Sequence, residues 1–209
     1  MKDIDDTLLA LHAARNDLSE AFHIMAGLEL VASNEDIVML LASALGSKDS
    51  EVRSGAALGY RLLFSRRKHD VTLALPLLIK AAADSAPWVV FHAAKALGRI
   101  RERDPSCGLH MEEIVCLFVA SLESEDSQVR AAAADEFRSV YSHRELIIPP
   151  LVARLDDPVL EVRFAAARTL CDFGAKAHEA LPKFLEWIDN EIPEEAFVAS
   201  IAVIQMDDA

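Results

Sequence analysis

This chain holds little of what usually advertises chemistry. Its 209 residues include seven glycines, and no stretch of them forms a glycine-rich phosphate loop. No H-E-x-x-H and no G-x-S-x-G occurs, which removes the zinc-protease and nucleophile-elbow signatures. The three cysteines, Cys107, Cys116 and Cys171, form no CxxC pair and no dense framework, as free thiols in a reducing cytoplasm would. Seven histidines are scattered with no pair at the i,i+4 spacing of a helical metal site, so neither metal nor cofactor is expected. No apolar run reaches the roughly 18 residues of a membrane span. The start, MKDIDDTLL, is acidic where a secretion signal would be basic, which points to a cytoplasmic protein. Positive charge is also scarce: 21 Lys and Arg face 34 Asp and Glu, a net charge of −13. That balance opposes the phosphate attraction behind most nucleic-acid affinity.

What the chain does hold is alanine, leucine and a repeat. Apolar residues make up 52% of it, as in a helical globular chain. Four stretches align: EVRSGAALGYRLL from Glu51, WVVFHAAKALGRI from Trp88, QVRAAAADEFRSV from Gln128 and EVRFAAARTLCDF from Glu161. They share Val52, Val89, Val129 and Val162, then Arg53, Arg130 and Arg163, with Val90 in the second copy. A small pair follows (Ala56-Ala57, Ala93-Ala94, Ala133-Ala134, Ala166-Ala167), then large residues at Tyr60, Leu97, Phe137 and Leu170, and at Leu63, Ile100, Val140 and Phe173. The valines stand 37, 40 and 33 residues apart. Self-similarity in that range indicates stacked helix pairs in which no single repeat buries its own core.

Helical periodicity and turn signals predict twelve helices in six pairs. They are 4–15 with 18–32, 36–46 with 50–65, 71–83 with 87–101, 110–122 with 127–141, 145–155 with 159–173, and 177–189 with 194–206. The whole chain, 1–209, reads as one solenoid: a capping pair at 1–33, four signature repeats at 34–176 and a second capping pair at 177–209. Phe197, Val198, Ile201, Val203 and Ile204 are more apolar than a cap requires: they either pack on the preceding repeat, which is the expectation, or offer a partner-binding face.

The V-R and A-A pattern resembles HEAT repeats, particularly the short bacterial kind related to bilin-lyase subunits. The resemblance implies an all-α, right-handed α-solenoid whose second helices line a concave face. The repeat arginines are then expected to bridge to acids in the inter-helix turns, with Asp49, Asp126 and Asp157 nearby. Between the buried positions of the second helices lie Leu58, Arg61, Phe91, His92, Lys95, Arg99, Asp135, Arg138, Phe164, Arg168 and Asp172, read as facing water. Of these, Arg61, Phe91, His92, Lys95, Arg99, Arg138, Phe164 and Arg168 form the candidate partner-binding stripe: cations with aromatic anchors, as in interface hot spots. The alternative is that its arginines solvate the helices and pair with Asp135, Glu136 and Asp172. A second candidate surface is acidic, at Glu191, Glu194 and Glu195, within a 177–209 segment of one basic and eight acidic residues.

The expectation is therefore a monomeric, non-enzymatic scaffold, adaptor or inhibitor, the immunity type included, with another protein as partner. Three enzymatic HEAT-like families supply alternatives. A di-iron hydroxylase needs several His-Glu pairs, and His178-Glu179 is the one pair of that form here. A DNA glycosylase would use Trp88 with Asp135 or Asp172. A bilin-lyase-like maturation factor would bind a tetrapyrrole, which no residue pattern here specifies.

Overall fold

A computed structural model describes residues 4–66, 73–137, 143–189 and 192–207. They form twelve α-helices with no strand among the described residues. In order these are α1 (Ile4–Ala13), α2 (Leu18–Glu29), α3 (Asn34–Ala44), α4 (Ser50–Arg66), α5 (Ala74–Ala81), α6 (Pro87–Arg103), α7 (Met111–Ser121), α8 (Ser127–Glu136), α9 (Arg144–Arg154), α10 (Leu160–Phe173), α11 (Leu181–Ile188) and α12 (Pro193–Asp207). Local chemistry sets their starts. Asp17 accepts from the Ser19 and Glu20 amides, Ser33 and Asp36 close a capping box, and Pro87 opens α6 where a missing N–H costs little. The last pair starts later than the periodicity predicts. Gly174, at φ +55°, ends α10, and a 3₁₀ segment, Gly174–Ala180, precedes α11. The irregular connection after α6 is pinned by Asp104, whose carboxylate accepts from the Ser106 amide at 2.9 Å.

The chain divides into two compact units, Met1–Ile114 and Val115–Ala209, with the boundary inside α7. In the first unit α4 packs most extensively on α6 and on α1, while α2, α3 and α5 touch one another in a second row. The first pair is thus inverted: α1 packs on α4 far more extensively than α2 does. Gly55 makes this possible, because a Cβ there would stand 2.0 Å from the Leu8 carbonyl oxygen. In the second unit α10 packs between α8 and α12. In both units the signature valines and alanine pairs are buried, with Tyr60, Leu97, Phe137 and Leu170 beneath them. Val140 lies outside the described residues.

Each repeat arginine joins its own turn to the next repeat. Arg53 donates from Nη1 to the Ser47 and Lys48 carbonyls, and from Nε and Nη2 to the Asp84 carboxylate at 2.7 and 2.9 Å. Arg130 repeats that geometry on the Ser124 and Glu125 carbonyls and on Asp157, at 2.8 and 2.9 Å. Arg163 holds the Asp157 carbonyl and the Glu195 carboxylate. The acids are those of the following turn or helix, which corrects two of the expected partners. Asp49 and Asp126 instead accept from the Glu51 and Gln128 amides at the starts of α4 and α8.

Candidate functional site

The helix register brings four of the expected stripe residues, Arg61, Phe91, His92 and Lys95, into one cluster in the first unit. It also changes their setting. Phe91 is 3% exposed and His92 0%, and Leu58 is buried as well, where water-facing positions were expected. The cause is the inverted first pair. As α1 crosses α4 over Gly55, His12 reaches Ser54 (Nδ1 to Oγ, 2.8 Å), and Arg15, just past the helix end, stands over the Trp88 ring at 5.1 Å. The His92 ring stacks on Trp88 at 5.3 Å, Phe91 meets Trp88 edge-on at 5.7 Å, and the Lys95 ammonium lies 5.4 Å from the centre of Phe91.

Neither ring nitrogen of His92 has a hydrogen-bond partner. Burial, and then the charges of Arg61, Lys95, His12 and Arg15, hold its pKa well below the usual histidine value. The imidazole is therefore neutral, enclosed by aromatic rings and surrounded by cations. Arg61, Lys95 and Arg15 are half-buried and, with His12, form the rim of the cluster. Such a rim attracts acidic groups and offers aromatic surface beside them.

The rest of the stripe is divided. Arg99 is exposed and bonded to Glu102 at 2.9 Å. Arg138 lies outside the described residues. In the second unit Phe164 is half-buried, and Arg168 pairs with Asp135 at 3.1 Å, as the alternative reading of the arginines anticipated. On the acidic side, Glu191 is outside the described residues and Glu194 is exposed. Glu195 is 2% exposed and bound to Arg163, so it is a clamp residue rather than part of a surface. It borders a cleft of about 440 Å³ lined also by Asp157, Arg163, Lys183, Glu186 and Trp187. Burial pushes the Cys171 thiol up to about 11, which leaves it a poor nucleophile. No group of three His, Cys, Asp or Glu residues able to hold a metal occurs among the described residues, and no described helix is long and apolar enough to cross a membrane.

His12 and Arg15 were invisible to repeat alignment because they precede the first signature copy. Trp88 is buried and forms the centre of the cluster.

Compared with known proteins, residues 116–203 match the family model of HEAT repeats. A designed armadillo repeat protein, solved in complex with the peptide (KR)4, is 19% identical over 98% of this chain and 100% of its own, with a TM-score of 0.59. Armadillo repeat proteins computationally designed for modular peptide recognition are also 19% identical, over 97% of this chain and 99% of theirs, with a TM-score of 0.56. An engineered protein is 21% identical over 99% of this chain and 97% of its own, with a TM-score of 0.54. No curated protein matches the chain in sequence. At these identities the likeness is one of fold: an all-helical repeat stack of the α-solenoid class.

Proposed function

We propose that this chain, a repeat stack whose residues 116–203 match HEAT repeats, is a non-enzymatic protein-binding scaffold of the adaptor or inhibitor kind. The observation that carries this is the first-unit cluster. Arg61 of α4, Lys95 of α6 and Arg15 just after α1 converge on two aromatic rings and a neutral imidazole. Arg and Trp in a packed setting are the composition of binding hot spots. Arg61, Lys95 and Arg99 contact the partner, whose surface there is acidic or mixed. Phe91 and His92 act from beneath, by fixing Trp88 and the stem of Lys95. The fold neighbours support the reading in kind: one was solved with a peptide, and others were designed for peptide recognition.

The test is capture of the native partner by the parent and by R61E/K95E/R99E, with helical content and melting checked by circular dichroism. Capture should be lost while the fold is kept. An equally effective triple variant would remove the cluster as the contact. Salt-sensitive binding of duplex DNA by the parent, lost in the variant, would place the nucleic-acid reading ahead.

A further inference from the structure

Helix α12 breaks the pattern of the helices before it. It buries Glu195, Ala199, Ala202 and Met206, yet Phe197 is 68% exposed, Ile201 40% and Ile204 64%. The expectation that these three pack on the preceding repeat is thereby corrected. Their spacings of four and three place them on one face of the helix, the seam spacing by which a second helix packs.

The repeat register locates that seam. Arg168 reaches Asp135 across 33 residues, the same separation as Val129 and Val162. One further step of 33 makes Phe197, Ile201 and Ile204 the counterparts of Phe164, Arg168 and Cys171 on α10, the helix packed beside α12. The surroundings are acidic. Glu161 and Glu194 are exposed at the counterpart positions where the two helices begin, and Asp172 is exposed near the end of α10. The one cation among these positions, Arg168, is bound to Asp135. Residues 177–209 as a whole carry one basic and eight acidic side chains.

We propose that the outward face of α10 and α12 docks an amphipathic helix of another protein, with lysines or arginines flanking its apolar stripe. The apolar stripe would cover Phe197, Ile201 and Ile204, and the flanking cations would meet Glu161, Glu194 and Asp172. Charge decides against a second copy of this chain as occupant. An isologous pairing would set the same acidic surround against itself. This surface lies in the second unit and does not depend on the first-unit cluster.

The probe is a synthetic helix of leucine and lysine in heptad order, about 21 residues long so that it exceeds the length at which isolated helices are marginal. Isothermal titration should show it binding the parent, and F197S/I201S/I204S should weaken it at least about tenfold, the loss of 1.4 kcal/mol or more. A leucine–glutamate counterpart should not bind, and R61E/K95E/R99E should bind the lysine helix like the parent. All three substituted residues of the α12 variant are solvent-exposed, and an unchanged melting curve would verify its fold. The proposal is overturned if the parent ignores the lysine helix, or if a scrambled peptide or the α12 variant binds as well as its control, since diffuse charge attraction then explains everything. A concentration-dependent dimer that the α12 substitutions abolish would overturn it in favour of self-association.

Discussion

His92 shows how one residue can be permitted by its neighbours at a cost. An imidazole with two unpartnered nitrogens loses hydrogen bonds that water would give it, and nearby cations penalise its protonation further. Stacking on Trp88 and packing against Phe91 offset part of that loss. Because its folded pKa is depressed, the unfolded chain takes up the proton first, so stability falls as pH drops below about 6.5, the ordinary histidine value. The slope from this group approaches about 1.4 kcal/mol per pH unit. H92L should abolish this step in urea denaturation curves taken between about pH 6.5 and 5. A second loss, below about pH 4, should remain in both proteins. There Asp84, held below its ordinary value by Arg53, releases its clamp. Asp157 does so too: burial alone would raise its carboxyl, but Arg130 and the Val159 amide keep it low.

Among elements, the arginine clamps separate structural charge from surface charge. Arg130 and Asp157 are both nearly out of water, and each is fully engaged. Truncating Arg130 leaves the buried Asp157 carboxylate with only the Val159 amide and a more distant Arg154 at 3.8 Å, so R130A should destabilise by about 3 kcal/mol in chemical denaturation. Arg99 and Glu102 are an exposed i,i+3 pair on α6. R99A should change stability by less than about 0.5 kcal/mol, since water and salt screen that bond. Similar values for R99A and R130A would show that the clamp is decorative. Val90 replaces the clamp arginine in the second copy, and the boundary between the compact units falls in the helix that follows.

Across the molecule, stability in stacked repeats is a sum of repeat and neighbour terms. The chain carries two tryptophans, Trp88 in the first compact unit and Trp187 in the second, both buried. Single-tryptophan forms made with W187F or W88F therefore report the units separately. R53A should shift the urea midpoint seen at Trp88 more than that seen at Trp187, and R130A should do the reverse. Equal shifts at both tryptophans for both substitutions would mean that the clamps act on the molecule as one cooperative body.

The period of 33 to 40 residues determined the helical repeat class, because buried valines and alanine pairs are conditions of stacking and must recur. The same logic made the clamp arginines legible as structural while leaving their partners open, since an acid one repeat away is chosen by packing. The candidate site was half legible. Arg61, Phe91, His92 and Lys95 follow from helical spacing, but their burial came from α1, which carries no repeat signature and crosses α4 over Gly55. Sequence spacing also could not tell whether Phe197, Ile201 and Ile204 turn inward. Their side of α12 was settled by which residues the helix needs against α10, α11 and the Gly174–Ala180 segment: Glu195 must reach Arg163, and Ala199, Ala202 and Met206 are buried, leaving the large apolar side chains in water.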